Sequence, residues 1–502
     1  MNTQIYLKLI LTCSMLQGGI LLSAQPSASI TLRCNELHQT IDGFGVGEAD
    51  WADDVFVFPQ RKEVLDALFA PEGLQANILR GEIFPHYATD EYQADFATTA
   101  DTSLQVAQQA ELLERNDLLR RGQFWLTSHV RQKYPQVLFT FSTWSPPAWM
   151  KEGNHATQAY PASQGYLKSE NYQHYANYLA DFCEAYDAAG IPVYAVSPSN
   201  EPGYAAPWNS CLWTPQQMGD FIQKHLLPVL QHRNLKVKVL FGENPAWSTV
   251  FDRLKMISSA DFVNEMLQTY TDLPENRVIA AGHGYVLPDT IPLPAELRHT
   301  PIVPFKEAIK RRIPMWVTEI SDITPLDVSM TDGLRWAVTF HDYLMNAQVS
   351  AIIWWLGAQP TTTNESLIVL NQHEGSFIRT KRYDTFGNYT RYIPRGSRGM
   401  GNSLKGFPKE VCVSSFRHGN EFTVVVVNPT EHSLACRLYF DGGKAVKNSL
   451  KSYTTTADKR WSEGKIKIQE QGYTLQILPQ SVITYCGKLH LSLIHISEPT
   501  RP

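Results

Sequence analysis

The sequence predicts an α/β protein, a (β/α)8 TIM barrel with a small antiparallel β-sandwich attached to it. Short apolar runs of strand length alternate with amphipathic stretches such as 104–134 and 172–189, where apolar residues recur at helical spacing. Past about Tyr392 helical spacing ends, and short strands alternate with turn residues. The predicted barrel strands are the segment around Gly43 and residues 76–80, 137–142, 193–199, 237–241, 278–282, 315–318 and 351–355.

Size and composition bound the class of protein. A chain of 502 residues is long enough for one large and one smaller domain, and 43% hydrophobic with 19% charged residues is typical of a folded protein. A formal net charge of -5 gives no electrostatic reason to expect nucleic acid or an anionic membrane as partner. We expect a monomer without membrane insertion. The 12 Trp and 22 Tyr suit the flat faces of sugar rings, although most such residues simply pack.

The first residues have the features of a secretory signal. Lys8, an apolar stretch and the small-residue site Leu22-Ser23-Ala24 predict a signal peptide over 1–24 and an exported protein of bacterial type, whether secreted, periplasmic or at the cell surface. Six Cys then remain besides Cys13, and their spacing matches no zinc pattern. An even number in an exported protein permits disulfides without requiring them.

The domain boundaries follow from changes of pattern. Residues 25–40 contain an extended piece, 41–391 form the barrel and 392–488 the sandwich. The glycines of 41–47 suggest the tight end of a first strand, because no helix signature with a ribose-binding acid follows to support a nucleotide loop. Residues 489–502 continue no pattern and resemble translated adapter sequence, so we predict a non-native tail. The predicted sandwich strands are 411–416, 422–428, 434–440, 449–455, 465–469 and 473–478.

Two apolar runs of strand length are each followed by an acid. One leads into Asn200-Glu201-Pro202, and the other is Met315-Trp316-Val317-Thr318-Glu319. Catalytic groups of such barrels lie at the C-terminal ends of strands, and by count these are strands four and seven, which face each other across the mouth. Retaining glycoside hydrolysis needs two carboxyl groups about 5 to 5.5 Å apart. A strand that merely ends in a polar loop is the alternative for each triplet taken alone.

Three motifs in this order and spacing resemble glycoside hydrolase family 30. They are Asn200-Glu201-Pro202, Trp144-Ser145-Pro146-Pro147-Ala148-Trp149-Met150 and Trp316-Val317-Thr318-Glu319. The resemblance implies that Glu201 is the acid/base, that Glu319 is the nucleophile and that the segment 25–40 supplies a strand to the sandwich. It also implies that Asn200 binds the sugar 2-hydroxyl.

Other candidates come from strand ends and loops. Arg80 could hold Glu319 charged, and Tyr285 could donate a hydrogen bond to it. A salt bridge to a loop acid is the alternative for Arg80. His283 is a further candidate, with a loop histidine outside the site as the alternative.

Aromatic candidates complete the predicted substrate-binding set. Trp144 follows a strand, and of Trp354 and Trp355 at most one can face inward, since neighbouring strand residues point to opposite faces. Trp355 is our candidate of the two. Trp208 and Trp213 could be sugar platforms or packing anchors.

The substrate is predicted from one loop. The segment 208–215 is similar to the corresponding loop of the family's bacterial xylanases and favours an endo-β-1,4-xylanase acting on plant xylan. No Arg follows the Trp354-Trp355 pair within 356–364, which argues against strict dependence on glucuronic acid. A β-1,6-galactanase, a β-1,6-glucanase or an exo-acting relative stay open, and so does, from another class, a catalytically dead carbohydrate-binding barrel. The sequence indicates no cofactor, and no His/Asp/Glu cluster has the spacing of metal ligands.

Overall fold

The computed structural model describes residues 28–48, 51–83, 122–152, 165–248, 257–285, 302–446, 450–466 and 473–491. The predicted signal peptide, residues 104–121 of the first predicted amphipathic stretch and 492–502 of the predicted tail lie outside these ranges. Across the described helices, none combines the length and apolar character needed to cross a membrane.

Eight parallel strands close into a barrel, which confirms the predicted fold class. Closure is complete because the first barrel strand pairs with both the second and the last. The predicted barrel strands differ from the observed ones by three residues or fewer at each end, because the apolar pattern of a sequence does not fix where a strand ends. The barrel strands are β2 (Gly43–Gly47), β3 (Ile78–Ile83), β4 (Leu138–Thr143), β5 (Val193–Ser197), β6 (Lys238–Phe241), β7 (Val278–His283), β8 (Met315–Glu319) and β9 (Ala351–Trp354).

Helices follow each barrel strand and pack their apolar faces on the outside of the barrel. Pro215 stands in the first turn of one of them, after Thr214 and Gln217 form a capping box that satisfies the first free amides. The α-helices are Trp51–Val57, Arg61–Phe69, Gln123–Lys133, Tyr172–Ala188, Pro215–Phe221, Leu227–His232, Ser259–Thr269, Lys306–Arg311, Met330–His341 and Lys381–Thr390. Short 3-10 turns occupy Ala148–Met150 and Ser169–Asn171, and π-helical turns occupy Ile222–Leu226 and Asp342–Asn346.

The barrel interior is a packed core, separate from the larger core between strands and helices. Trp316 of β8 fills much of it and stacks on Tyr194 of β5, with ring centroids 5.9 Å apart and planes 5° apart. Small residues such as Ala195 and Ala281 leave room for this ring. Because side chains fill the interior, the barrel is not a pore. The polar site lies beyond this apolar layer, at the C-terminal ends of the strands.

A second domain contains a ten-stranded sheet, built from the strand that precedes the barrel and nine strands that follow it. β1 (Ala28–Thr40) lies in the middle of it, antiparallel to β13 (Arg398–Lys405) and parallel to β16 (Leu434–Asp441). The remaining strands are β14 (Cys412–His418), β15 (Glu421–Asn428), β17 (Gly443–Ala445), β18 (Lys451–Thr455), β19 (Ser462–Lys465), β20 (Tyr473–Ile477) and β21 (Ser481–Leu491).

This single sheet folds back on itself into two layers. Four inter-strand steps separate β15 from β16, so a flat sheet would hold them about 19 Å apart. Instead the rings of Phe422 and Phe440 lie 5.2 Å apart, and the Tyr485 hydroxyl of β21 donates to the Gln476 carbonyl of β20. The two layers share one apolar core, as a sandwich does.

Asn388 holds the second domain against the barrel. It lies on the helix Lys381–Thr390, is fully buried, and donates to Thr484 Oγ1 at 3.0 Å while accepting from Thr455 Oγ1 at 2.6 Å. A buried amide with both ends satisfied fixes the relative position of its neighbours, because breaking either bond leaves a polar group unpaired.

Several strands of the second half differ from the predictions. A small sheet of β10 (Leu356–Gln359), β11 (Ser366–Asn371) and β12 (Ser376–Arg379) precedes the last helix, and β13 was not predicted. β19 ends at Lys465, and residues 467–469 of the strand predicted at 465–469 lie outside the described residues. β21 continues past the predicted boundary at 488, because Leu489 is buried in the sandwich core and pairs with Ala445.

The cysteines are unpaired in the part of the chain that the structure describes. Four of the six are buried, and no two form a disulfide.

Candidate active site

Two carboxyl groups meet at the C-terminal end of the barrel. Glu319 is the last residue of β8, and Glu201 lies four residues after the end of β5. Both are buried. An oxygen of each lies within 4.8 Å of the other and of a ring nitrogen of His283.

The Glu201 side chain is aimed by an unusual backbone conformation. Its φ of 51° lies in the left-handed region, which is costly for a residue with a Cβ. Two neighbouring strands hold the loop there: the Asn200 amide donates to the Thr143 carbonyl at 2.7 Å, and the Glu201 amide donates to the Glu243 carbonyl at 3.0 Å. The surrounding barrel therefore over-determines where this carboxyl group points.

Glu319 is held by hydrogen-bond donors on both oxygens. Arg80 of β3 donates from Nη1 to Oε2 at 2.9 Å, and the Tyr285 hydroxyl donates to Oε1. Arg80 is 1% exposed, so this ion pair is shielded from water. Arg80 and Tyr285 both favour the ionised form of Glu319.

Asn200 is oriented by the same arginine. Arg80 Nη2 donates to Asn200 Oδ1 at 2.7 Å, so the amide oxygen is directed to Arg80 and the Nδ2 group is left to donate toward a ligand. Arg80 thus links Asn200 on the β5 loop to Glu319 on β8.

His283 lies between the two carboxyl groups. Its Nδ1 is 3.2 Å from Glu201 Oε1 and 3.7 Å from Glu319 Oε1, and the side chain is fully buried. Burial, followed by the charge of Arg80, holds the pKa of His283 well below its usual range, so the ring is neutral.

The sequence spacing does not reveal this cluster, because its three members come from three separate segments of the chain. Glu201, His283 and Glu319 are close enough to share a cation. Arg80 and Tyr285 already satisfy the oxygens of Glu319, however, so the cluster is built around an arginine and a phenol.

The two carboxyl groups differ in proton affinity. Burial raises the pKa of Glu201 well above its ordinary value, and the charge of Glu319 raises it further. Burial also raises the pKa of Glu319, but only to about 7, because Arg80 and the Tyr285 hydroxyl oppose the shift. Near neutral pH, Glu201 therefore keeps its proton, while Glu319 is at least partly ionised. Tyr285 stays protonated, since burial and then Glu319 raise its pKa well above the ordinary value.

Aromatic side chains form one wall of the mouth. The Trp144 ring lies 5.0 Å from the Arg80 guanidinium carbon and 6.1 Å from the Trp355 ring, measured to ring centroids. Trp354 faces the other way, packs on Trp336 and donates to the Glu365 carbonyl. The two neighbours of the pair therefore point to opposite faces, as strand geometry requires.

The two loop tryptophans have different surroundings. Trp208 is 40% exposed and contacts Tyr204 edge to face. Trp213 is 3% exposed and packs among Tyr172, Tyr175 and Phe221, below the surface. Trp213 is therefore a packing anchor and not a sugar platform, which corrects its place among the candidate substrate-binding residues.

A third carboxyl group went unnoticed in the sequence. Glu243 follows β6 by two residues, is fully buried, and lies 3.4 Å from Arg80 Nη2. The segment Phe241-Gly242-Glu243 has the same apolar-strand-then-acid pattern as the other two, so the signal was present in the sequence.

Several known proteins are similar to this chain. Lysosomal acid glucosylceramidase of Mus musculus is 27% identical over 250 residues, 46% of this chain and 45% of that protein. Endo-1,6-beta-D-glucanase of Neurospora crassa is 30% identical over 213 residues, 40% of this chain and 42% of that protein. The catalytic domain of GH30 xylanase C from Talaromyces cellulolyticus superposes with a TM-score of 0.69 at 20% identity, covering 92% of this chain and 100% of that one.

The family assignment rests on the match to a whole sequence family. The model of O-glycosyl hydrolase family 30 matches residues 116–369, which span the barrel from the helix before β4 to β11. That is half of the chain, and it includes both carboxyl groups at the mouth. The chain belongs to glycoside hydrolase family 30 and is a glycoside hydrolase.

Proposed function

We propose that the protein cleaves β-linked glycans with retention of configuration, by a double displacement between Glu201 and Glu319. The separation of their carboxyl groups carries this proposal. Oxygens of the two lie within 4.8 Å of each other. Retaining enzymes space the groups about 5 to 5.5 Å apart, whereas inverting enzymes need about 6.5 to 9.5 Å to admit a water.

In the first step the two residues act on opposite sides of one bond. Glu201 donates its proton to the glycosidic oxygen while a carboxylate oxygen of Glu319 attacks the anomeric carbon. The C–O bond to the leaving group breaks and a glycosyl ester of Glu319 forms. Arg80 and Tyr285 hold the attacking carboxylate in place through its two oxygens.

In the second step the ionised Glu201 takes a proton from water, which attacks the anomeric carbon and releases Glu319. Asn200, its amide oxygen held by Arg80, donates from Nδ2 to the sugar 2-hydroxyl. Neutral His283 can donate to one carboxyl group or accept from the other, which suits a site whose proton moves between steps.

For the substrate, we infer a β-1,6-linked glucan. The relative named as an endo-1,6-beta-D-glucanase has the higher identity of the two reported above, and the other is named as a glucosylceramidase. Xylan is the second candidate, because the loop 208–215 is similar to that of bacterial xylanases. Burial of Trp213 removes one of the two tryptophans that this loop could offer to a xylan chain.

Product analysis separates these substrates and tests the stereochemistry. Purified protein is incubated with β-1,6-glucan, β-1,6-galactan, arabinoxylan and glucuronoxylan, and the anomer released first is followed by proton NMR. We expect gluco-oligosaccharides from β-1,6-glucan with the β anomer appearing first. Release of xylo-oligosaccharides alone overturns the substrate, and an initial α anomer overturns the double displacement.

A further inference from the structure

The third carboxyl group at the mouth, Glu243, contacts the site through its side chain. Its Oε1 lies 3.4 Å from Arg80 Nη2, and the Ser142 hydroxyl of β4 donates to its oxygens at 3.0 and 3.2 Å. Arg80 therefore stands between two acids, Glu243 and Glu319, and is fixed from both sides.

The main chain around Glu243 is equally connected. The Glu201 amide donates to the Glu243 carbonyl, and the Glu243 amide donates to the Ala281 carbonyl of β7, both at 3.0 Å. Glu243 has a φ of 34°, in the left-handed region. A strained residue anchored to the neighbouring segments on both sides is retained only when its surroundings require that conformation.

We propose that Glu243 is a positioning residue for the hydrolysis, setting both carboxyl groups through two routes. Its side chain anchors Arg80, which in turn holds Glu319, and its carbonyl anchors the left-handed backbone of Glu201. The inference rests on the proposed function of that pair. In this role Glu243 does not touch the bond that is cleaved, and it acts through Arg80 and through the loop of Glu201.

The charges around Glu243 give this role a measurable consequence. Arg80 from β3 faces it directly and is the one cation in contact with it among the described residues, while Ser142 from β4 is neutral. Beyond Arg80 lie Glu319 on β8, Glu201 after β5, the uncharged His283 at the end of β7 and Tyr285 after it. Besides burial, the charge of Glu243 contributes to the raised pKa of both Glu201 and Glu319.

Replacing Glu243 by Gln keeps the shape and removes the charge. With one negative charge fewer, the pKa values of Glu201 and Glu319 both fall, so both limbs of the pH profile of kcat/KM move to lower pH, by about one unit. Loosening of Arg80 should also lower kcat about tenfold with little change in KM. The control is Ser142→Ala, which loses a donor to Glu243 but no charge, and should leave both limbs in place while lowering kcat a few-fold.

Three outcomes overturn the inference: unshifted limbs in Glu243→Gln, shifted limbs in Ser142→Ala, or wild-type kcat in both. If Glu243→Gln does not fold, Glu243→Asp replaces it, with wild-type limbs and reduced kcat expected, and wild-type kcat contradicting the role.

A substrate-free readout separates this inference from the proposed function. Tm is measured from pH 5 to 9 for the wild type, Glu243→Gln, and each of these carrying Glu201→Gln. Compared with Glu201→Gln, the Glu201 side chain lowers Tm as pH rises above its unfolded-state pKa, and the loss levels off at its folded-state pKa. The pH at which the loss levels off should be lower in the Glu243→Gln background. If no glycan is hydrolysed, the proposed function fails while this comparison still decides whether Glu243 influences Glu201.

Discussion

Glu201 and Glu319 occupy equivalent places in the barrel and differ in almost everything around them. Glu319 ends a regular strand and has a cation and a phenol on its oxygens. Glu201 lies in a loop with a left-handed backbone conformation, and the neutral imidazole of His283 faces its carboxyl group. The comparison shows how the surroundings set the two protonation states. Hydrogen-bond donors favour the ionised form of Glu319, whereas burial beside a negative charge favours the protonated form of Glu201.

Glu319→Gln should have the largest effect. Without the carboxylate no glycosyl ester forms, so we expect kcat to fall by on the order of 10⁴-fold or more. Activity is measured on whichever glycan the wild type cleaves, and circular dichroism checks the fold. Glu374→Gln, at an exposed turn, is the matched control and should stay fully active. Comparable activity in the two variants would refute the role of Glu319.

Glu201→Gln sharpens the difference between the two acids. Loss of general acid catalysis should cost about 10²- to 10⁴-fold on a glycan, whose leaving alkoxide needs a proton. A dinitrophenyl glycoside of the accepted sugar has a leaving group that needs none, so glycosyl-enzyme formation should be nearly unimpaired and a pre-steady-state burst of dinitrophenolate should appear. If Glu319→Gln shows the same burst, the two roles are not distinct.

Tyr285→Phe tests whether the hydroxyl keeps Glu319 ionised. Its removal takes away one of the groups that oppose the raised pKa of Glu319, so that pKa rises above about 7. Because the nucleophile must be ionised, the acid limb of the pH profile moves to higher pH. At the optimum we expect kcat/KM to fall about 10- to 100-fold, the size of a charge-assisted hydrogen bond. An acid limb that stays in place would contradict this assignment.

The smallest effect concerns stability. The folded-state pKa of Glu201 is raised, so the native state binds a proton more tightly than the unfolded chain. Stability attributable to this group is therefore present at low pH and lost as pH rises above the unfolded value of about 4.3. Glu201→Gln should be more stable than the wild type at pH 8 and about equally stable at pH 4.5, measured by urea unfolding. A difference independent of pH would show that Glu201 titrates normally.

Much of the barrel was predictable because buried parallel strands are nearly continuous apolar runs. β13 was missed because its sequence, Arg398-Gly399-Met400-Gly401-Asn402, has two glycines and little alternation. The sheet of β10 to β12 was missed because helices were expected between barrel strands and after the last one.

The site was predictable only in part, for a different reason. Glu201 and Glu319 stand out locally, since each follows an apolar run. The neighbours that set their proton affinity do not, because Arg80 and Glu243 are 163 positions apart and only barrel closure brings them together. Trp213 shows the same limit: a loop tryptophan carries no local sign of whether it faces solvent or the core.

β1, the first strand that the structure describes, pairs with strands that lie more than 350 residues later in the chain. In the sheet it is the sole link between β13 and β16, and Ile30 pairs with Leu404 on one side and Leu438 on the other. Contacts of such sequence separation form late, because a long loop must close first. During synthesis the barrel can therefore assemble first. Both edges of β1 stay unpaired until the last quarter of the protein has been made. Until then the growing chain exposes a strand prone to pairing with other molecules, and its shielding in that interval is a task for chaperones.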